Sequence, residues 1–167
     1  MGTANFHAHA MTKRELLDRI VARLEAELAL LTRAALATHA EATDEENKSE
    51  DKYDTRGLEA SYLAHGQSKA AEEVAQALAQ FQALVPRDFT RNEPIGLGAL
   101  VTLENIGSYF FGPRAGGTEI KGDDGLPVLV ITPQSPLGRQ LLGRKQGDLV
   151  AIELNNRRNS VGIASVV

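Results

Sequence analysis

The chain has 167 residues, of which 43% are hydrophobic and 5% are aromatic, with no Cys and no Trp. This length fits one domain or two small ones. The lack of Cys excludes disulfides, thiolate metal sites and cysteine nucleophiles, and it is typical of a cytoplasmic protein. The formal net charge is −4, but residues 12–85 carry 14 acids and nine bases whereas residues 86–167 carry eight acids and nine bases.

The N-terminal half has the pattern of two long helices. Residues 1–10 lack the features of a signal peptide. We expect 1–11 to be a disordered tail, or Met11 to be the native start with the residues before it added. From Thr12 to about Ala42 there is no Gly or Pro, and apolar residues recur with the 4-3 spacing of a coiled coil. Thr12 and Glu15 match a capping box that begins the first helix.

An acidic segment interrupts the helical pattern at 41–55, which contains seven acidic residues and two lysines. The 4-3 spacing then resumes at Ala60 and continues to Val85, with Gln67 as the one polar seam position, and Pro86 ends it. Two seams of similar length joined by a short polar stretch predict antiparallel partners. We therefore predict a coiled-coil hairpin over 12–85, with its tip at 41–55.

The C-terminal half changes to short β-rich runs separated by turn signals. The runs are 99–104, 108–111, 127–132, 149–154 and 161–166. They predict an antiparallel sheet in a domain over 94–167, and the polar, proline-bounded stretch 86–93 is predicted to be a linker. No apolar run approaches the roughly 20 residues that cross a bilayer. For that reason we expect no membrane binding. No basic face stands out, so we also expect no independent nucleic-acid binding.

Residues 135–150 predict a capped helix between two strands. Ser135 is a good N-cap, Pro136 fits the first helical position, and Gly143 suits the left-handed residue after the helix. Gly147 and Asp148 then form a turn into the next strand. This sequence closely resembles the C-terminal domain of the Gre transcript-cleavage factors of bacterial RNA polymerase. The resemblance rests on three motifs in order: Ser-Pro-Leu-Gly-Arg, Leu-Leu-Gly and Gly-Asp-Leu-Val.

The resemblance covers nearly the whole chain and implies a fold and a function. It implies an α+β protein, in which an antiparallel coiled-coil hairpin is followed by an FKBP-like antiparallel β domain with one short helix. In that family the β domain docks on the polymerase, and the hairpin enters the secondary channel, where its tip stimulates cleavage of backtracked RNA. The chain would then be a monomeric cytoplasmic elongation factor whose partner is bacterial RNA polymerase, not an enzyme by itself.

The tip acids are the predicted metal ligands. Aligning the family tip on Tyr53 matches Glu46 to the metal-binding Asp, whereas aligning it on Glu46 and Asn47 matches Glu46 to the Glu of that pair. Neither alignment keeps both family acids, and Asp44 and Glu50 are then the second candidates. Carboxylates attract Mg²⁺, so we expect Glu46 and Asp44 to share Mg²⁺ with the polymerase active site and to hold none when the protein is free.

Two further interpretations stay open. Arg139, Arg144 and Lys145 are candidates for docking on an acidic polymerase surface, although Arg144 and Lys145 also suit a helix C-terminus. A Gre-like paralogue that binds the same channel and modulates transcription without cleavage is an alternative function. A prolyl isomerase is disfavoured, because Tyr109, Phe110 and Phe111 are the only aromatic residues of the C-terminal domain.

Overall fold

The computed structural model of the chain describes residues 11–43, 56–123, 125–154 and 157–167. Its helices are α1 (Lys13–Thr43), α2 (Arg56–Gln82) and α3 (Pro136–Leu141). Its strands are β1 (Leu100–Leu103), β2 (Gly107–Phe111), β3 (Glu119–Lys121), β4 (Pro127–Ile131), β5 (Leu149–Leu154) and β6 (Arg157–Val166). The chain divides into two compact units, Val21–Ala79 and the described residues up to Ile20 together with Gln80–Val167.

The unit Val21–Ala79 is the helical hairpin, and it confirms the predicted seam. The seam residues of α1 and α2 in this unit are buried or half-buried, with Leu24 only 1% exposed and Ala64 6% exposed. Near the far end of the unit, the Thr38 hydroxyl lies 3.0 Å from the side-chain oxygen of Gln67, within hydrogen-bond distance across the two helices. The polar seam position therefore has a polar partner, as a half-buried amide requires.

The other unit is built on a six-stranded sheet with the order β3-β4-β2-β1-β6-β5. The sheet is mixed, because β2 pairs with β4 in parallel while the other neighbouring strands are antiparallel. The sequence predicted an antiparallel sheet. The difference arises because the chain leaves β2 through a loop at 112–118, forms the unpredicted strand β3 at the edge, and only then returns as β4 beside β2.

The two faces of the sheet have different partners. One face carries Val101, Leu103, Phe111 and Ile131, which form the main core with Leu141 of α3. The opposite face carries Phe110, whose ring centroid lies 6.3 Å from that of Phe81 in the last turn of α2. Burial of Phe110 and Phe111 on opposite faces follows from the alternation of side chains along a strand.

The helix boundaries follow the capping residues that the sequence contains. The backbone N–H of Thr12 donates to Glu15 Oε2 at 2.7 Å, and the N–H of Glu15 donates to Thr12 Oγ1 at 3.2 Å, which confirms the capping box. At α3 the N–H of Gly138 donates to Ser135 Oγ at 3.0 Å. Gly143 follows the helix with φ +78°, so the predicted left-handed position is confirmed.

The end of α2 corrects one seam prediction. Val85 was predicted to belong to the seam, but α2 ends at Gln82 and Val85 is 78% exposed. Pro86 explains this, because a proline disfavours the helical conformation of the residue before it and has no N–H to donate. Within 11–43, 56–82 and 136–141, no helix combines the length and apolar character of a membrane span.

Candidate functional site

The predicted tip acids Asp44, Glu46 and Glu50 lie outside the described residues, so their roles stay predictions. The twelve-residue segment that contains them joins the C-terminal end of α1 to the N-terminal end of α2. Within the described part of the chain, no group of three or more His, Cys, Asp or Glu side chains is placed to hold a metal ion.

The predicted docking residues lie on and after α3. Arg144 and Lys145 are exposed neighbours in the loop after the helix. Their backbone is fixed, since Ile95 N donates to Arg144 O at 2.7 Å and Lys145 N donates to Asp148 Oδ2 at 2.9 Å. A rigid loop therefore presents two adjacent positive charges to solvent.

Arg139 is placed differently from the other two basic residues. Its side chain is exposed, but its guanidinium donates to the backbone oxygen of Gln134, on the N-terminal side of α3. Arg144 and Lys145 follow the C-terminal end of the same helix. The structure thus brings Arg144 and Lys145 together and directs Arg139 toward the opposite end of α3.

The shape of this region depends on one close backbone approach. A Cβ atom at Gly138 would lie 1.8 Å from the backbone oxygen of Thr132, a distance that no side chain can occupy. Ser135 adds to the same turn, because its hydroxyl donates to Thr132 O at 2.8 Å while accepting from Gly138. The Ser-Pro-Leu-Gly motif therefore fixes how α3 follows β4, and with it the loop that carries Arg144 and Lys145.

A cation–aromatic cluster between α1 and the segment after α2 was not predicted. Phe89 is buried, and the guanidinium carbon of Arg87 lies 3.9 Å and Lys13 Nζ lies 4.9 Å from its ring centroid. Lys13 Nζ donates to Arg87 O, and burial lowers the pKa of Lys13. The stretch predicted to be a linker is thus packed at Phe89, and a lone aromatic among polar residues was the only sequence signal.

An acid–base pair extends this cluster. The Arg87 guanidinium donates to Glu93 Oε1, and the N–H of Thr90 donates to Glu93 Oε2 at 3.3 Å. Both hydrogen bonds lower the pKa of Glu93, and the bond from Arg87 has the larger effect. These contacts order the segment that leads into β1.

A cavity of about 820 Å³ opens at the end of the sheet where β1 ends and β2 and β4 begin. Tyr109 is the one aromatic residue among its described lining residues, and burial raises the pKa of that tyrosine. Phe110 and Phe111 are fully buried and do not line the cavity. Of the three aromatic residues of the C-terminal domain, Tyr109 is thus the one that borders this cavity.

No protein-family model and no curated protein matches the chain. The chain is similar to a solved structure of GreA factor homolog 1 (Gfh1) of Thermus thermophilus, with 18% identity over 92% of this chain and 93% of that one and a TM-score of 0.32. A second structure, of the transcription factor Gfh1, is 22% identical over 87% and 92%, with a TM-score of 0.36. Thermus aquaticus Gfh1 is 18% identical over 92% and 93%, with a TM-score of 0.37.

Proposed function

We propose that this protein is a transcription elongation factor that binds bacterial RNA polymerase and inserts the tip of its hairpin into the secondary channel. The antiparallel hairpin carries this proposal. Helices of 31 and 27 residues correspond to about 46 and 40 Å at 1.5 Å per residue. Such a length suits a protein that must reach a buried catalytic centre, and the segment 41–55 at the turn contains seven of the 14 acids of the hairpin.

The tip would act through metal binding at the polymerase active site. Mg²⁺ takes one or two protein carboxylates and completes its shell with water and phosphate oxygens. Glu46, with Asp44 or Glu50 as the second acid, would supply those carboxylates beside the metal that the polymerase already holds. A pair of metal ions activates water and stabilises the leaving oxygen in phosphodiester hydrolysis. The polymerase is then the enzyme, and this protein stimulates its cleavage of backtracked RNA.

The C-terminal unit would dock the factor on the outside of the polymerase. Arg144 and Lys145 are exposed on an ordered loop, which favours charge-steered binding to an acidic surface. Arg139 contributes to the same interaction from the other end of α3. In this proposal the factor works as a cytoplasmic monomer and makes no independent contact with nucleic acid.

A second candidate function follows from the tip sequence. Neither alignment of the tip with the Gre family keeps both of the family's acids. A paralogue with an altered tip can occupy the same channel and modulate transcription without cleavage, and this alternative shares every feature of the proposal except the Mg²⁺ ligands.

A cleavage assay on a backtracked elongation complex made with the host polymerase tests the proposal. The protein should accelerate RNA cleavage in the presence of Mg²⁺, and the Asp44→Asn, Glu46→Gln, Glu50→Gln variant should lose that effect. A matched control neutralises three exposed acids on the helices, Glu27→Gln, Glu72→Gln and Glu73→Gln, and should retain it. Altered elongation without cleavage would favour the paralogue, and no effect on either process would refute both candidates.

A further inference from the structure

The cavity at the end of the sheet is a surface feature that the elongation proposal does not use. It lies between the β1–β2 turn and the loop from β3 to β4, and its volume of about 820 Å³ falls within the roughly 300–1,000 Å³ typical of ligand pockets. Nine of its sixteen described lining residues are apolar or aromatic. Its area is therefore mainly hydrophobic, with a few polar groups that can orient an occupant.

The exposure of the lining indicates an open groove. Ile106, Tyr109 and Leu129 are half-buried, whereas Asn105 and Leu126 at the border are exposed, Leu126 to 66%. An occupant would keep one side in solvent. This suits one or two side chains of an extended peptide better than a small molecule, which is usually enclosed over 70–90% of its surface.

The charged residues among the described lining residues have a single sign. They are Glu119 and Asp123. Asp123 forms an ion pair with Arg19 at 2.5 Å, so its charge is already offset. Glu119 is exposed and has no ion pair among the described residues, and Lys121, two residues further along β3, does not line the cavity.

The sheet register places the Glu119 carboxylate beside two of the apolar or aromatic lining residues. Glu119 is opposite Leu129, and Leu129 is in turn opposite Tyr109, so the three residues stand in a row across β3, β4 and β2. Adjacent strands are about 4.8 Å apart. An acid thus borders a half-buried leucine and tyrosine on one face of the sheet.

We propose that this groove binds an extended segment of a partner protein in which a large apolar side chain is next to Arg or Lys. The apolar side chain covers Tyr109 and Leu129, and the basic residue pairs with Glu119. The negative charge of Glu119 at the rim attracts the basic residue of such a segment and repels an acidic residue in its place. This inference does not depend on the elongation function, because no tip or docking residue takes part in it.

Titration of the full chain with short peptides, followed by ¹H–¹⁵N NMR, tests the proposal. The probe is acetyl-Ala-Phe-Arg-Ala-amide, and its controls replace Arg by Glu or Phe by Ala. We expect saturable shifts at cavity residues, with the Arg peptide binding about two- to five-fold more tightly than the Glu peptide, as an exposed ion pair allows. Loss of Phe should abolish the shifts.

Charge reversal gives a sharper outcome. Glu119→Lys should reverse the preference, so that the Glu peptide binds more tightly, while Glu104→Lys, at an exposed acid outside the lining, should leave the preference unchanged. The proposal is wrong if neither peptide shifts the cavity residues, if the shifts map elsewhere, or if Glu119→Lys and Glu104→Lys alter the preference equally.

Discussion

Gly112 is the position where the sheet and the end of α2 leave least room, and it gives a quantitative test of the packing. A Cβ atom there would lie 2.7 Å from Phe81 Cζ and 2.9 Å from Val130 Cγ1. Carbon atoms in favourable contact are about 3.5–4.0 Å apart, so a methyl group falls short of that spacing on two sides. Phe81 is 2% exposed and Val130 is fully buried, so neither can move aside into solvent.

We therefore expect Gly112→Ala to destabilise the protein by about 1–3 kcal/mol, the usual range for overpacking a core. For a chain of this size that lowers the melting temperature by about 2–4 °C per kcal/mol. Urea unfolding followed by circular dichroism measures the change. Gly66→Ala is the matched control: it lies in α2 with nothing within 4 Å of a Cβ, so it should stabilise the helix by up to about 1 kcal/mol.

A double variant separates the steric effect from other causes. Phe81→Leu removes the nearest ring atom, so the combined cost of Phe81→Leu and Gly112→Ala should be smaller than the sum of the two single costs. If Gly112→Ala leaves the free energy of unfolding within about 0.5 kcal/mol of the wild type, the described contact between Phe81, Val130 and the β2–β3 loop is refuted.

Three other predictions concern the cap, the charge cluster and the docking loop. Ser135→Ala should destabilise the protein by about 1 kcal/mol in urea unfolding, because Gly138 N loses its acceptor; an unchanged midpoint would contradict the cap. Glu93 should titrate below its ordinary pKa of 4.5 by NMR, because Arg87 and Thr90 donate to it. The contribution of the Glu93 carboxylate to stability is then present above its ordinary pKa and is lost as the pH falls through the lowered pKa. Arg87→Gln removes the main donor and should return the pKa of Glu93 toward 4.5. Charge reversal of the predicted docking residues should weaken polymerase binding while the circular dichroism spectrum stays unchanged; these residues are Arg139, Arg144 and Lys145. Unaltered affinity would exclude them as a docking surface.

The helical hairpin and the starts of its first helix and of α3 could be predicted from the sequence. The 4-3 spacing fixes which residues of α1 and α2 face each other, so Leu24 and Ala64 are buried as expected. The capping residues Thr12 and Ser135 likewise mark real helix starts, because their hydrogen bonds are local. Helical periodicity therefore predicted the packing of the hairpin, and the capping residues predicted where helices begin.

The features that depend on distant pairing could not be predicted. Strand β3 has three residues, of which only Ile120 is buried, which is too short for an alternating pattern. The parallel pairing of β2 with β4 depends on where the chain returns after β3, and no property of either strand alone determines that. The packing of Phe89 between Arg87 and Lys13 joins residues 74 positions apart, and composition marks such a segment as a linker.

The candidate site was predictable only in part. The sequence identified the basic residues after α3, but it could not show that Arg139 donates to Gln134, because that contact depends on the side-chain conformation. The groove beside Glu119 was not predicted, since β3 was missed and Glu119 was therefore not placed beside Leu129 and Tyr109.

The central claim is that the hairpin tip reaches the polymerase active centre, and site-specific crosslinking tests it most directly. The chain has no Cys, so Ser49→Cys provides a unique attachment point for a short photo-crosslinker at the tip, and Ser160→Cys, exposed on β6, provides a matched point on the sheet. We expect the tip label to attach to polymerase residues lining the secondary channel near the active site, and we expect the β6 label not to attach there. Attachment of the tip label outside the channel, or no attachment to a polymerase that binds the protein, would contradict the account.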